Sequence, residues 1–445
     1  MAKQKKLKPV KLKGFQDYTP EVMKKRYEIM DAVRATSEAS GFQMVGTPAL
    51  EYAETLLGEG GETDKQVYKF EDNGGREVAL RFDLTVPFAR YASENFGSYP
   101  LPFKRAQIGN VWRAEKPQKG RYREFCQCDF DVIGVDSKFA DLEVVLALSR
   151  TLSNLNFGSY TVSFGHRLIL GGLLKHFLPD LMASQEGEKE ALIAIDKLDK
   201  IGPEKVQVLL CKLEGVTEAG ASDLMKVIMD GSSSETLSKI AELLSNDEEA
   251  REAVERTSFV VNEVNKFLEG KPGKAVIDLK IARGLAYYTG IVFETTMDDL
   301  PGFGSICSGG RYNNLCDRFS SRELPGVGGS IGLDRLIAGL SELNQISNDK
   351  RSGVYIIVAS EEARSYALEI CHQLRDAGIA SDIDLKGQKM NKQFQAADKL
   401  SRAYAIAIGS NELEQKASRT VGLKDLNTGE QEALTIEDIV SKLRT

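Results

Sequence analysis

The sequence predicts an α+β protein built on an antiparallel β-sheet flanked by helices, with a helical insertion and a smaller C-terminal α/β domain. Strand-like and turn-rich segments dominate residues 41–135 and return after the insertion. Residues 178–260 are rich in Glu, Lys, Leu and Ala at helix-like spacing, which predicts the insertion. After SNDKRSG (347–353), strands and helices alternate, as is typical of an α/β domain. The predicted domains are 1–345 and 351–445.

Each element follows from a hydrophobic period and from the turn residues beside it. Apolar residues near a 3.6-residue period predict a helix over 20–40, which Gly41 ends, and a second helix over 140–155. Strands are predicted at 274–280 and 287–296, followed by glycine-rich turns to about residue 332. In the C-terminal domain we predict strands at 354–360, 381–385 and 404–410 and helices at 361–376 and 391–403.

Composition excludes several classes of protein. The chain has 445 residues, a net charge of −7 and six cysteines, and its basic N-terminal stretch lacks the apolar core of a secretory signal. Apolar runs are shorter than the ~18 residues of a membrane span, so we expect a cytoplasmic protein with free thiols. The three histidines are widely separated, which argues against a zinc enzyme, and we expect structural roles for His166 and His176.

Two alternating segments predict a β-hairpin that separates a core face from a polar face. FKRAQIGNVWRAE (103–115) and GRYREFCQCDFDVIG (120–134) flank KPQKGRY (116–122), which has the proline and glycine of a loop. Because side chains of a strand alternate between its faces, Cys126 and Cys128 should pack in the core and not bind a metal. The opposite face should carry Arg113, Glu115, Phe125, Gln127 and Asp131.

The chemistry of this polar face favours a ligand that bears phosphate. The alternative is a solvated sheet face with ion pairs, but such a face has no need of Phe125 or of a strongly basic loop. Arginine suits phosphate because its planar fork donates two hydrogen bonds at once. The basic residues of the loop are Lys116, Lys119, Arg121 and Arg123.

Further polar clusters are weaker signals by themselves. Arg81, Asp83 and Thr85 alternate before Pro87, which suits a ligand ammonium or, equally, a strand end with a capping aspartate. Arg283 lies at a turn near Tyr287 and Tyr288. The glycine-rich segments 304–315 and 326–336 match neither a dinucleotide fingerprint nor a P-loop. Glycines that lead into a helix bearing Arg335 could still admit an anionic ligand.

These segments, in this order, resemble the class II aminoacyl-tRNA synthetases, and within them the histidyl-tRNA synthetase family. The resemblance spans about residues 12–345 and the small C-terminal domain, and several linked motifs are more specific than any one. The wording of LRFDLTVPFARY (80–91) and of REFCQCDFD is similar to the archaeal and eukaryotic branch. The matching segments are motif 1 at 41–52, motif 2 at 109–134, motif 3 at 326–336, and the two histidine-specific signatures at 282–290 and 305–315.

The resemblance implies a site for ATP, which would enter with Mg²⁺ as its substrate complex and not with a permanent cofactor. Arg113 and Arg283 would act at the α-phosphate and carry the catalysis. The adenine would stack on Phe125 and be read by Glu115. Arg121 would assist at the triphosphate, and Arg335 would hold the γ-phosphate.

The resemblance also implies the partners L-histidine and tRNA(His) and a homodimer whose interface includes Pro48. The 116–123 loop, with Gln118 and Lys119, would meet the acceptor end of the tRNA, and the C-terminal domain would meet its anticodon region. The residues implied for histidine are Asp83, Thr85 and Gln127 at the ammonium, Asp131 and Tyr288 at the imidazole, and Tyr287 lining the pocket.

Two departures and two alternatives accompany this resemblance. Ala286 replaces an aspartate that the signature commonly has, and Cys307 and Ser308 stand where small Ala or Gly residues are usual. The main alternative is the non-catalytic regulatory subunit of ATP phosphoribosyltransferase, which resembles the catalytic domain but lacks an anticodon-binding domain. The second alternative is a tRNA-binding module without activity.

Overall fold

The computed structural model describes residues 7–58, 64–230, 234–281, 287–346 and 351–444. The chain divides into two compact units, Met1–Ile346 and Ser347–Thr445, each with its own hydrophobic core.

The first unit is built on one large sheet and one small sheet. Its strands are β1 (Gln43–Met44), β2 (Leu50–Tyr52), β3 (Lys69–Glu71), β4 (Glu77–Leu80), β5 (Phe103–Trp112), β6 (Glu124–Ile133), β7 (Tyr160–His166), β8 (Gly273–Ile277), β9 (Ile291–Met297), β10 (Cys307–Arg311) and β11 (Gly326–Gly332). The large sheet has eight strands in the order β1-β5-β6-β11-β10-β9-β7-β8, and the small sheet is β2-β4-β3. The large sheet is antiparallel from β5 to β7, with one parallel strand at each edge, so the predicted fold class is confirmed.

Helices cover one face of the large sheet and form a separate helical region. The helices of the first unit are α1 (Pro20–Ala39), α2 (Ala53–Leu56), α3 (Thr85–Asn95), α4 (Lys138–Asn154), α5 (Arg167–Phe177), α6 (Gln185–Ile195), α7 (Leu198–Ile201), α8 (Pro203–Leu210), α9 (Glu218–Met229), α10 (Ser234–Leu243), α11 (Glu248–Leu268) and α12 (Leu333–Glu342). Thr19 caps α1 and Pro20 begins it, a combination that favours helix initiation. The helix predictions at 20–40 and 140–155 are confirmed by α1 and α4.

α3 begins at Thr85, so the alternation of Arg81, Asp83 and Thr85 does not continue as a strand, and Pro87 is tolerated because it lies in the first turn of the helix. One prediction about local structure was wrong. The glycine-rich turns predicted before residue 332 are in fact the central strands β10 and β11. A Cβ at Gly309 would lie 2.3 Å from the carbonyl oxygen of Gly328 and 2.4 Å from the ring of Phe293. Glycine is therefore required there by close packing and not by a turn.

The second unit is a five-stranded sheet with helices packed against it. Its strands are β12 (Val354–Val358), β13 (Ser381–Ile383), β14 (Tyr404–Ile408), β15 (Thr420–Asp425) and β16 (Gln431–Thr435), in the order β13-β12-β14-β15-β16. Its helices are α13 (Arg364–Asp376), α14 (Met390–Lys399), α15 (Ser410–Glu414) and α16 (Ile436–Leu443). The first three strands are parallel and alternate with helices as predicted. The antiparallel pair β15 and β16 was not predicted.

Within the described part of the chain, no helix has both the length and the apolar character needed to cross a bilayer.

Candidate active site

The hairpin of β5 and β6 places its core side chains on one face and its polar side chains on the other, as the alternation predicts. The two strands pair antiparallel, with Arg105 opposite Asp131 and Gly109 opposite Gln127. Cys126 and Cys128 are 1% and 0% exposed and pack in the main hydrophobic core as free thiols. Their predicted packing in the core is therefore confirmed.

The basic loop after β5 folds back onto the start of α12. The backbone of Arg113 still pairs with that of Arg123, N to O 2.8 Å, so the hairpin extends beyond the regular strands. Arg335 donates from Nη1 to the carbonyl oxygen of Lys119 at 2.7 Å. Gly120 has a φ of +69°, and a Cβ there would lie 3.0 Å from Arg335 Nη1. A glycine at this turn lets the loop approach the guanidinium closely.

A cavity of about 630 Å³ opens between this loop, β6, β9, β10 and the start of α12. The guanidinium carbon of Arg113 lies 5.1 Å from the centre of the Phe125 ring, and that of Arg335 lies 4.2 Å from the Phe303 ring. Burial and the neighbouring Arg121 lower the pKa of Arg335 from its ordinary value. Six residues predicted from the sequence line the cavity: Arg113, Glu115, Arg121, Phe125, Gln127 and Arg335.

A second group of predicted residues forms a buried polar cluster. Asp83 accepts hydrogen bonds from the Val86 backbone N at 3.0 Å and from Tyr287 Oη at 3.0 Å. Tyr288 packs edge-on against Tyr287, with ring centres 5.1 Å apart. Thr85 is half-buried at the start of α3. Asp83 therefore acts as a capping aspartate, as one alternative from the sequence has it, and is also a member of the cluster.

Asp131 is held in the same region by residues of neighbouring strands. Tyr312 donates from its hydroxyl to Asp131 Oδ1 at 2.5 Å, and Arg105 Nη2 lies 3.2 Å from Asp131 Oδ2. Tyr312 also contacts Tyr287, with ring centres 6.1 Å apart, which joins Asp131 to the cluster around Asp83. Asp131 and Arg105 are 1% and 0% exposed, so they interact in a medium of low polarity.

Gln127 and Arg113 connect the cavity to the buried cluster. Gln127 lines the cavity, donates to Ser330 Oγ at 2.9 Å and shares a face of β6 with Asp131. Arg113 donates from Nε to the Phe82 carbonyl oxygen at 3.0 Å, next to Asp83 in sequence. The two predicted groups therefore form one continuous site.

Burial dominates the electrostatics of the cluster. Desolvation raises the pKa of Asp83 and of Asp131, and nearby positive charge and hydrogen bonds oppose the shift. Desolvation also raises the pKa of Asp129 to about 7, against the lowering effect of Arg105. Burial raises the pKa values of Tyr287 and Tyr288 above the ordinary value, so both tyrosines stay protonated donors.

Two acceptors of this face, Gln127 Oε1 and Asp129 Oδ1, are buried with no hydrogen-bond partner among the described residues. Buried acceptors normally have donors, so this group fits a ligand that brings N–H groups. A cationic amine and an imidazole both supply such donors.

Glycines on neighbouring strands make room for the cluster. A Cβ at Gly328 would lie 1.9 Å from Asp131 Oδ1, and one at Gly310 would lie 3.0 Å from a ring carbon of Tyr288. The glycine-rich signatures therefore allow close packing around the polar groups.

Sequence reasoning missed Arg105, Asp129, Tyr312 and Ser330 as members of the site. Arg105 and Asp129 share strand parity with the chosen residues, so alternation could have found them. The position of Tyr312 depends on strand order and could not be found in this way.

The remaining predicted positions lie in the exposed loop, outside the described residues, or in β10, where Cys307 and Ser308 line the cavity. Arg283 and the departure at Ala286 lie outside the described residues. Gln118 and Lys119 are exposed in the loop, and Lys119 Nζ lies 2.6 Å from Glu342 Oε1. Cys307 is buried in β10, which raises the pKa of its thiol to about 12. Across the described ranges, no three His, Cys, Asp or Glu side chains group in a way that could hold a metal ion.

The antiparallel sheet, with an arginine-lined cavity joined to a buried polar pocket on its strands, defines a class II aminoacyl-tRNA synthetase catalytic domain. A family model described as histidyl-tRNA synthetase matches residues 14–336, and one described as an anticodon binding domain matches residues 353–445. The chain belongs to the histidyl-tRNA synthetase family.

Individual relatives agree with this assignment. The chain is 42% identical over 430 residues to histidine--tRNA ligase of Rhodopirellula baltica, covering 96% of this chain and 95% of the relative. It is 39% identical over 438 residues to histidine--tRNA ligase of Wolinella succinogenes, covering 97% of each. The crystal structure of histidyl-tRNA synthetase from Nostoc sp. PCC 7120 matches with a TM-score of 0.85 at 32% identity over 99% of both chains. The similarity to the archaeal and eukaryotic branch stays a prediction.

Proposed function

We propose that the protein ligates L-histidine to tRNA(His) in two steps. Histidine and ATP first form histidyl-adenylate and release pyrophosphate, and the histidyl group then passes to the terminal ribose of the tRNA. The observation that carries this function is the histidyl-tRNA synthetase match over most of the chain, together with an anticodon-binding match over residues 353–445. The cavity and the buried cluster beside it supply neighbouring places for the two small substrates.

The first step needs positioning and charge neutralisation more than proton transfer. The carboxylate of histidine is already a nucleophile, so attack on the α-phosphate requires no general base. Arg113, with Arg283, would neutralise the charge that grows on that phosphate, and Arg335 would hold the far end of the triphosphate. Phe125 would stack on the adenine and Glu115 would accept from its amino group. ATP would enter as its Mg²⁺ complex.

The buried cluster would select histidine. Asp83, Thr85 and Gln127 would accept hydrogen bonds from the ammonium, while Asp131 and Tyr288 would pair with the imidazole. The buried Gln127 Oε1, which has no hydrogen-bond partner among the described residues, supports this assignment, because a ligand without a donor at that point would leave it unsatisfied. Tyr287 would hold Asp83 in place through its 3.0 Å hydrogen bond.

The tRNA and a second copy of the chain complete the proposed complex. The loop bearing Gln118 and Lys119 lies at the rim, beside the cavity, and would meet the acceptor end. A homodimer would use motif 1, where Met44, Leu50 and Tyr52 are 48%, 40% and 53% exposed. A cytoplasmic location would follow from the role in protein synthesis.

The regulatory-subunit alternative is not favoured. A chain described as an ATP phosphoribosyltransferase regulatory subunit/histidyl-tRNA synthetase from Bacillus halodurans matches with a TM-score of 0.73 at 23% identity, which shows a shared fold alone. The anticodon-binding match at residues 353–445 and the relatives named histidine--tRNA ligase favour the enzyme.

The decisive experiment is ATP–pyrophosphate exchange with each of the twenty amino acids. Histidine alone should support exchange. Arg113→Gln should lower the exchange rate about 10²- to 10³-fold, the loss typical when one group that stabilises transition-state charge is removed. Arg251→Gln removes an exposed guanidinium on α11 and serves as the control, with an unchanged rate. If the protein is folded but none of the twenty amino acids supports exchange, the result would favour the regulatory alternative. If the protein binds tRNA but shows no exchange, the result would indicate the inactive binding module.

A further inference from the structure

A basic segment at residues 8–13 lies outside the machinery described above. It contains three lysines and no acidic residue in a chain whose net charge is −7. These lysines, Lys8, Lys11 and Lys13, are all exposed. Concentrated positive charge on an acidic protein is the usual electrostatic signature of a polyanion site.

The structure fixes where this segment leaves the catalytic unit. Arg123 donates its backbone N–H to the Gly14 carbonyl oxygen at 2.8 Å, and its Nη1 lies 3.4 Å from the Lys13 carbonyl oxygen. Gly14 has a φ of +89°, and a Cβ there would lie 2.9 Å from side-chain carbons of both Arg123 and Pro117. The basic segment is therefore anchored directly on the 116–123 loop.

Anchoring makes the segment and the loop one basic surface. Lys8 lies five residues from Lys13, so it is within about 18 Å of the anchor even in a fully extended chain. The loop adds the exposed Lys116 and Arg121. Acidic neighbours are few and exposed: Lys11 Nζ lies 3.9 Å from Asp17 Oδ2, a pair that contributes little in water.

We propose that residues 8–13 bind the sugar-phosphate backbone of the tRNA next to its acceptor end. This inference rests on the proposed function, because that function brings the acceptor end to the same loop. Lysine side chains would contact phosphates without reading bases, which adds affinity and salt dependence and no sequence specificity. An RNA is favoured over an anionic membrane because the anchor lies at the rim of the catalytic cavity.

The test compares two triple variants that lose the same charge. Lys8→Gln/Lys11→Gln/Lys13→Gln neutralises the basic segment. The control neutralises three exposed lysines near the β8 edge of the sheet: Lys266 in the last turn of α11, Lys271 after that helix and Lys274 in β8. Aminoacylation kcat/KM for tRNA is measured from 50 to 250 mM KCl, and histidine-dependent pyrophosphate exchange is measured beside it.

The segment variant should lose about tenfold in kcat/KM for tRNA at low salt. The slope of log kcat/KM against log salt concentration should become shallower by about 2, because each lost phosphate contact removes about 0.7–0.9. Exchange should stay within twofold, since no segment lysine lines the cavity. Lysine-to-arginine replacement at the three positions should restore the rate.

An equal loss in both triple variants would refute the inference, since net charge and not location would then matter. An unchanged kcat/KM for tRNA in the segment variant would also refute the inference. If phosphatidylserine vesicles also capture the unmodified protein, that result would indicate a membrane as the partner of the segment. Failure of the unmodified protein to catalyse exchange would instead refute the proposed function.

Discussion

Gly328 faces the carboxylate of Asp131 across two paired strands, and its replacement by alanine tests whether that carboxylate belongs to the histidine pocket. Gly328 pairs with Asp131 in the ladder of β11 and β6. The new Cβ would lie 1.9 Å from Asp131 Oδ1, so the carboxylate must move. That movement would disturb the 2.5 Å hydrogen bond from Tyr312 and the 3.2 Å ion pair with Arg105.

The expected effect on binding follows from these two contacts. A hydrogen bond to a charged group contributes about 1.5–3 kcal/mol, so displacing the carboxylate from its position should weaken histidine binding by about that amount. This corresponds to an increase of about 10- to 150-fold in the Kd for histidine, since 1.4 kcal/mol is a factor of ten. The Kd for ATP should change little, because Gly328 does not line the cavity.

Gly329→Ala is the matched control, because it adds the same methyl group to the opposite face of the same strand. Its Cβ would lie 2.6 Å from both Leu148 and Phe293 in the core, which should lower stability by about 1–3 kcal/mol through overpacking. Calorimetric titration with histidine and thermal unfolding are measured for both variants. A folded Gly328→Ala protein that binds histidine as tightly as the unmodified protein would refute the role given to Asp131.

Two further predictions concern stability. Asp141 is fully buried between Arg311 and Arg256, at 2.7 and 2.5 Å, so Asp141→Asn should lower the free energy of unfolding of the first unit by about 3–5 kcal/mol in urea titrations, and a loss below 1 kcal/mol would contradict this. Burial lowers the pKa of His166 to about 3, and its Nδ1 accepts from the Leu168 backbone N at the start of α5. Because the pKa of His166 is lower in the folded than in the unfolded chain, the contribution of the neutral side chain to the free energy of unfolding is complete above pH ~6.5. This contribution falls as the pH drops toward 3, by up to about 1.4 kcal/mol per pH unit. His166→Asn keeps a capping acceptor but cannot titrate, so urea unfolding between pH 7.5 and 5.5 should show a smaller loss than in the unmodified protein, and equal losses would contradict the prediction.

The spacing of apolar residues along the sequence was sufficient to predict an element, and the faces of its side chains, wherever one face is buried and the other is not. The two-residue period of β6 separated Cys126 and Cys128 from Gln127 and Asp131, because adjacent side chains of a strand must point to opposite faces. The same argument gave the hairpin and its basic loop. The 3.6-residue period likewise gave α1 and α4 with boundaries close to those observed.

The spacing of residues did not predict the structure where a residue type is required by contacts with a segment distant in the sequence. The glycines of β10 and β11 indicate turns in the sequence, because a sequence does not show that Phe293 and Asp131 occupy the space that their Cβ atoms would need. Likewise, the alternation of Arg81, Asp83 and Thr85 does not show that Asp83 accepts a hydrogen bond from the Val86 backbone N in the first turn of a helix.

The sequence by itself determined the fold class, the polar face of the hairpin and the basic residues around it, since these depend on periodicity and residue chemistry along one stretch of chain. Only the tertiary structure decided that Tyr312 and Ser330 join the site and that Gln127 and Arg113 connect the cavity to the buried carboxylates. The physical reason is strand order. Gln127 and Ser330, 203 positions apart in the sequence, meet because β6 and β11 are neighbours in the sheet, and no local period encodes that pairing.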